Sequence, residues 1–553
     1  MPQGGIYDVT EYSLLSYDFR GTITYNGAFG ANEDHILSVF LGAELNATDR
    51  QSTWNRGWGY QYENGGVPYT DYRLFKQSQE ENSQYFSNQF TYYRNLAFFA
   101  NASYSYKGRY TATGTIRYEG TNKLGKSRSA RWLPTWNVSL AWNAHEENWW
   151  RPTFDKWWTA AKLRASYSLT ADRGPAEISN SLAIFQSYSP YRPLSSVTET
   201  GIQLAELENS ELTYEKKREL NIGVDLGFID NRINLVFDWY TRDNYDLIGI
   251  VQTMGVGGAT DKYANDASMK SSGVELTLST LNIKTKDWTW TTDFTFSHSK
   301  NEITKLNSHS MIYQLVNGYG RKEGYPVGAL FSIPFAGLTE EGLPTFYTNK
   351  EHTETTMTDI ELQSYTDLDF LKYEGSIDPT IQGGFRNTVS WKGLTLDIFF
   401  TYSAGNVIRL DPLCYVYNSE YSDLTASMKE MKNRWVVPGD EKTTTIPTIA
   451  TSRQMQDIPN LNVAYSCYNY SDKRVAKGDF IRLKEISLGY SLPKKLFENQ
   501  KAVSSFSVKF SATNIALVYA DKKLNGRDPE YYNTGGVSSP IPRQFTLTFR
   551  LGM

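Results

Sequence analysis

Gly120-Thr121-Asn122-Lys123-Leu124-Gly125-Lys126-Ser127 has the spacing of a phosphate-binding loop, in which backbone N–H groups and a lysine cradle a nucleotide's phosphates. That chemistry needs a buried strand before the loop and a helix after it, so that the helix N-terminus faces the phosphate. A strand pattern does precede Gly120. Arg128-Ser129-Ala130-Arg131, however, leads straight into the Trp132–Trp142 alternation with no helical period. A polar loop accounts for the segment better than a nucleotide site. Gly255-Val256-Gly257-Gly258 likewise reads as a loop hinge rather than a dinucleotide fingerprint. The histidines are His35, His145, His298, His309 and His352, and they lack the spacing of metal ligands. No carboxylate pair and no Ser/His/Asp grouping is singled out by spacing. No catalytic residue, no metal ligand and no cofactor is expected, and the chain is not read as an enzyme.

Binding is better represented than catalysis. Trp54, Trp58, Tyr60, Tyr62, Tyr69 and Tyr72 fall in an expected loop over 49–84, beside Asn and Asp. Aromatic faces next to polar groups suit sugars or peptides. Self-packing of the loop or contact with a partner explains the same residues at least as well. Glu147-Asn148-Trp149-Trp150-Arg151-Pro152 through Trp157-Trp158 fits an interfacial aromatic belt better than a partner contact. Ser422–Trp435, with Met428, Met431 and Trp435, has the spacing of a short helix that stiffens its loop. Cys414 and Cys467 share one long expected loop, where an oxidising compartment would allow a disulfide; two free thiols are the alternative.

The elements that carry these residues are strands. Leu96, Phe98, Ala100, Ala102, Tyr104 and Tyr106 alternate with Asn101, Ser103 and Ser105. Past the turn Lys107-Gly108-Arg109 the alternation resumes with Tyr110, Ala112, Gly114, Ile116 and Tyr118. It recurs at Leu220–Phe228, Ile233–Trp239, Trp288–Phe296 and Leu394–Tyr402. A period of two means strands with two unlike faces. About 15 are expected, at 17–30, 35–48, 88–106, 110–119, 132–143, 160–171, 214–228, 232–243, 271–281, 288–300, 380–391, 394–405, 480–492, 504–517 and 541–553.

Their setting follows from composition. The 553 residues carry a net charge of -4, which argues against a nucleic-acid partner. Mean hydropathy is -0.50, with no apolar run of the roughly 20 residues a membrane helix needs. Yet aromatic residues make up 14%, including 39 Tyr and 14 Trp. The apolar faces run for roughly 9–12 residues, enough for a tilted strand to cross a bilayer. A barrel with a polar lumen, lipid outside and aromatic girdles accounts for both faces at once. Connections alternate between tight (107–109, 229–232, 391–393) and long (49–84, 171–212, 243–270, 303–378, 404–478, 520–540). Transmembrane barrels show that alternation, with short periplasmic turns and long extracellular loops. The expected fold is an all-β, antiparallel transmembrane β-barrel.

Particular residues resemble a known family. Asn209-Ser210-Glu211-Leu212-Thr213-Tyr214-Glu215-Lys216, with Arg218-Glu219-Leu220-Asn221-Ile222-Gly223, is similar to a hairpin of the SusC/RagA-type TonB-dependent outer-membrane transporters. Phe228-Ile229-Asp230-Asn231-Arg232 and Tyr245-Asp246-Leu247-Ile248 continue the likeness. Lys162–Tyr167, Phe480–Tyr490, Ser511-Ala512-Thr513-Asn514 and Asp528-Pro529-Glu530 resemble further segments of that family. The resemblance implies a barrel of about 22 strands around a plug. It further implies a bacterial outer-membrane location, a SusD-type lipoprotein partner, the TonB complex acting through the plug, and oligosaccharide or peptide substrates. The count is odd and Met1-Pro2-Gln3-Gly4-Gly5 is no export signal. Residues 1–553 are therefore expected to be the C-terminal portion of such a barrel, without plug, first strands or signal peptide. A passive porin, a surface adhesin or a non-functional fragment remain as alternatives.

Overall fold

Fifteen strands with unlike faces pair in chain order into one sheet, antiparallel wherever the register is defined. The computed structural model describes residues 4–66, 71–81, 83–124, 128–154, 157–174, 183–188, 201–209, 211–256, 260–414, 428–493, 496–497, 503–532 and 540–552. The strands are β1 (Gly5–Phe29), β2 (His35–Tyr60), β3 (Phe86–Tyr106), β4 (Tyr110–Thr121), β5 (Trp132–Asn143), β6 (Trp158–Asp172), β7 (Glu215–Phe228) and β8 (Ile233–Gln252). They continue as β9 (Asp261–Lys284), β10 (Trp288–Leu306), β11 (Ile381–Trp391), β12 (Leu394–Ala404), β13 (Phe480–Ser491), β14 (Ser505–Ala520) and β15 (Gln544–Gly552). Met553 lies outside the described residues.

Strand ends at the short turns fall close to the expected ones; several far ends run longer. β1 and β2 stay paired from Phe29↔His35 out to Gly5↔Tyr60, well past the expected 17–30 and 35–48. In the added rungs charged and polar residues enter both faces, Asp8 facing Arg56 on one and Glu11 and Ser13 facing Thr53 and Gln51 on the other, mixed with Tyr12, Leu14, Leu15, Trp54 and Trp58. The two strands are clamped by Arg56 Nε donating to Asp8 at 2.7 Å. A ladder needs no lipid to persist, only a partner for each peptide group. β8 and β9 extend in the same way, so most of the expected 243–270 loop is strand.

The turns obey backbone sterics. Between β11 and β12, Lys392 and Gly393 have φ of 46° and 91°, the positive pair of a type I′ turn, whose twist matches the strands it joins.

Met1–Trp142, Ala165–Leu220 and Asp243–Ser268 form one compact unit. In it Leu37, Val39, Leu41, Ala43, Leu45 and Ala47 share one face of β2, while Ser38, Glu44, Asn46 and Thr48 share the other. A small core of Leu124, Leu212, Tyr214 and Ile248 lies beside the strands.

Asn143–Arg164, Asn221–Arg242 and Met269–Met553 form the second unit. Its largest core is outside the sheet. Connections 307–380 and 405–479 share one apolar interior, with Leu315, Phe331, Phe346, Leu461, Tyr465 and Tyr468 all within 2% of full burial. The connections therefore fold together instead of standing as separate loops. Of the expected Ser422–Trp435 helix, 422–427 lie outside the described residues, and Lys429–Asn433 forms a single 3-10 turn.

Within the sheet of this unit, the Tyr402 hydroxyl reaches over Gly383 and donates to the Thr295 carbonyl at 2.9 Å, tying β12 to β10 across β11. A Cβ at Gly383 would overlap both the Thr295 carbonyl and the Tyr402 hydroxyl. Gly383→Val should therefore destabilise the fold by at least about 1–3 kcal/mol, the usual range for overpacking. The urea midpoint of the refolded protein measures this, and Tyr402→Phe should cost less because it removes one hydrogen bond without a clash.

Candidate functional site

Of the six aromatics singled out from sequence, the five that are described divide between the two faces of the end of β2 and the connection beyond it, with Tyr62 edge-on to Tyr60 at 4.6 Å. Trp54, Trp58 and Tyr60 belong to β2 rather than to a loop. Trp54 and Trp58 lie on the face of β2 that carries Arg56, whose guanidinium stacks 5.1 Å from the Trp54 ring. Gly59 has φ of 69° and makes a bulge, so Tyr60 rather than Gly59 faces Gly5 across the ladder. The bulge turns Tyr60 to the opposite side, where it stacks on Tyr7 at 4.6 Å. Trp58 packs with Phe75 and Tyr85, at 5.9 and 6.2 Å, which is self-packing of the connection. Tyr62 and Tyr72 are exposed, and Tyr69 lies outside the described residues.

What sequence reasoning missed is a polar wall in the second unit. On β10 to β14 the non-lipid face carries paired charges. Arg386 sits 3.4 Å from both Asp397 and Glu485, and Lys509 reaches Glu485 at 3.5 Å. The Thr388 hydroxyl donates to Asp397 at 2.7 Å. Against this wall opens a cavity of about 790 Å³, bordered by Glu275, Gln382, Phe399, Asn406, Lys484 and Glu530. Its rim is held by Arg482, which is 6% exposed. Arg482 Nη2 donates to both oxygens of Asp528 at 2.6 Å and lies 3.1 Å from Glu530. Two segments quoted for the family resemblance, Phe480–Tyr490 and Asp528-Pro529-Glu530, thus meet through one guanidinium. Carboxylates, an ammonium, amides and the phenyl rings of Phe296, Phe399 and Phe480 around one space can hold a polar oligomer.

The other candidate groups are structural. Leu124, in the phosphate-loop match, is fully buried against Leu212, Tyr214 and Ile248. Residues 125–127 lie outside the described residues, and one helical turn, Arg128–Arg131, follows where none was expected. That turn is too short to present an ordered N-terminus to phosphate. The His145 and His298 Nδ1 groups donate to the carbonyls of Ala161 and Thr380, at 2.9 and 3.1 Å. His35 shares a 2.7 Å hydrogen bond with the Tyr104 hydroxyl. Among the described residues no three His, Cys, Asp or Glu side chains converge as metal ligands.

Cys414 and Cys467 are unpaired and buried in the connection core, with Cys414 Sγ 3.8 Å from Met431 Sδ. Burial pushes both thiols up to about 12.

The model of the family "TonB dependent receptor-like, beta-barrel" matches residues 4–387. The chain belongs to the TonB-dependent receptor β-barrel family. Relatives of this barrel include the TonB-dependent receptor P39 of Formosa agariphila, 25% identical over 95% of this chain and 51% of that protein. They also include SusC of Bacteroides thetaiotaomicron, 28% identical over 54% of this chain and 28% of SusC. The chain spans about half the length of the first of these. In fold it superposes on a chain of the RagAB peptide transporter with a TM-score of 0.77 at 23% identity, over 99% of this chain and 56% of that one. The SusC/RagA resemblance read from the residues thus stands, and with it an outer-membrane location.

Two measurements check the site. Arg482→Ala should destabilise this TonB-dependent receptor barrel by about 3 kcal/mol, since it leaves the nearly buried Asp528 carboxylate unpaired. Exchanging Arg482 and Asp528 together for apolar residues should cost much less; urea unfolding distinguishes the two. For the thiols, a folded value above the unfolded one means stability present at neutral pH and lost as pH rises past the unfolded thiol's value of about 8.5. At pH 8 iodoacetamide should label Cys414 and Cys467 at least about a hundredfold more slowly in the folded than in the urea-unfolded protein.

Proposed function

We propose that this chain forms the wall and outer connections of an importer that carries oligosaccharides or peptides across the bacterial outer membrane. TonB supplies the work, and a SusD-type surface lipoprotein captures the substrate. The observation that carries this reading is the family match over 4–387 joined to a wall whose polar face bears paired charges and a cavity of about 790 Å³. A wall with its charges paired offers many hydrogen-bonding groups and little net field, which suits neutral polar oligomers over multivalent ions. RagAB's description as a peptide transporter and the relationship to SusC support the choice of substrate classes. The plug and the TonB-contacting segment are assigned to parts of the transporter other than these residues.

Deleting the whole locus should abolish growth on at least one oligosaccharide or peptide source, and a plasmid copy should restore it. A copy carrying tryptophan at Gln382 and Thr401, which narrows the cavity, should restore growth poorly while reaching the membrane in normal amount. Unchanged uptake of every candidate nutrient in the deletion strain would remove the importer reading. Steady conductance of the purified protein in planar bilayers would favour a passive pore.

A further inference from the structure

Three charged side chains line the cavity of about 790 Å³: Glu275, Lys484 and Glu530. Arg482 holds Glu530 at 3.1 Å. Lys484 and Glu275 differ from it, since neither side chain has an ion-pair or hydrogen-bond partner among the described residues. A β-bulge brings Lys484 there. Leu483 pairs with Phe400 and Glu485 with Phe399, so Lys484 is the extra residue of β13. The β14 side skips it as well. Such a bulge lets two consecutive side chains serve one face. Glu485 joins Arg386 and Lys509 on the polar wall, and Lys484 borders the cavity. Glu275 has the parity of Ser279 on β9, whose hydroxyl donates to Asp293 at 2.7 Å, which puts it on the polar face.

A third open group lies between them. Asn406, past the end of β12, donates through Nδ2 to the Ile377 carbonyl at 3.4 Å. Its Oδ1 is buried and accepts no hydrogen bond from the described residues.

Spacing and sign together select a ligand. β9 and β13 are four steps apart in the sheet. At roughly 4.8 Å per step, Glu275 and Lys484 stand about 19 Å apart along the wall, less the reach of their side chains. A neutral oligosaccharide filling the cavity would strip water from both ions without replacing it by an opposite charge. A single amino acid carries both charges on one residue and reaches only one of the two. An extended peptide advances roughly 3.3–3.6 Å per residue, so about four or five residues cover the span with an ammonium at one end and a carboxylate at the other.

We propose that the cavity takes a short peptide with free ends, its N-terminal ammonium on Glu275 and its C-terminal carboxylate on Lys484. These two residues determine specificity, and Asn406 Oδ1 accepts a peptide N–H between them. The inference rests on the importer reading above and narrows its two substrate classes to one.

The test uses the intact transporter, immobilised, and pools of random pentapeptides with free ends, N-acetylated, C-amidated or blocked at both ends. Retained peptides are measured by mass spectrometry. The free-ended pool should be retained about tenfold more than any blocked pool, the usual worth of one charge-assisted hydrogen bond. Lys484→Gln should erase the difference between free-ended and C-amidated pools and keep that between free-ended and N-acetylated ones. Glu275→Gln should do the reverse. Both variants should unfold at the same urea midpoint as the unaltered protein, because neither side chain has a partner to lose. Retention indifferent to the ends, or no retention of any peptide pool, would overturn the proposal. Neutral oligosaccharides retained in place of peptides would also overturn it while leaving the importer reading intact. That reading fails separately, if the deletion strain takes up every candidate nutrient unchanged.

Discussion

A peptide group in hydrocarbon has no water to bond, so every N–H and C=O that enters the bilayer must find a partner within the protein. The rest of this structure depends on that constraint. It requires strands wide enough to cross and paired on both sides, and so it selects a sheet of chain neighbours, each turning back onto the last. Once the backbone is committed, side chains alternate between two solvents. On β12, Leu394, Leu396, Ile398 and Phe400 take one side, and Thr395, Asp397, Phe399 and Thr401 the other. Charge is admissible on the second side only where it is paired or wet, which is where Arg386, Asp397 and Glu485 meet.

Outside the hydrocarbon the constraint relaxes, and irregular backbone becomes affordable if its carbonyls are met by other donors. Arg409 shows how. Its guanidinium donates to the carbonyls of Val316, Phe331 and Ser471, at 3.1, 2.6 and 2.7 Å, and so binds two connections distant in sequence into one core. Burial lowers its pKa to about 10, which still leaves it charged at neutrality. Arg474 does similar work with Glu430 at 2.5 Å and the Asp411 carbonyl at 2.7 Å. The connections thus form a folded body, which gives their polar groups fixed positions.

Legibility in the sequence followed the same physics. All fifteen strands could be read because two solvents write a period of two into each. Their far ends could not, because past the expected spans apolar and polar residues mix on both faces of β1 and β2 and the alternation fades while the ladder continues. The aromatics at 54–60 were visible, but Gly59's bulge, which sends Tyr60 away from Trp58, leaves no mark beyond one glycine. The connection core had half a signal. Leu461, Ala464, Tyr465 and Tyr468 have helical spacing, and Leu461–Asn469 is a helix. The Phe331 and Phe346 that cover it come from another connection, which no local pattern can announce. Arg482 and Asp528 were each visible as family-like residues, and their ion pair was not.

The central claim is that alternate residues of one strand face lipid and water. Single cysteines along β12, in a background with Cys414 and Cys467 replaced by alanine, would be spin-labelled in the membrane-inserted protein. Collision with lipid-soluble oxygen and with a water-soluble nickel complex would then be measured at each position. The account predicts that labels at 396, 398 and 400 meet oxygen and exclude nickel, and that labels at 395, 399 and 401 do the reverse. Equal nickel access on both faces, or none on either, would contradict it.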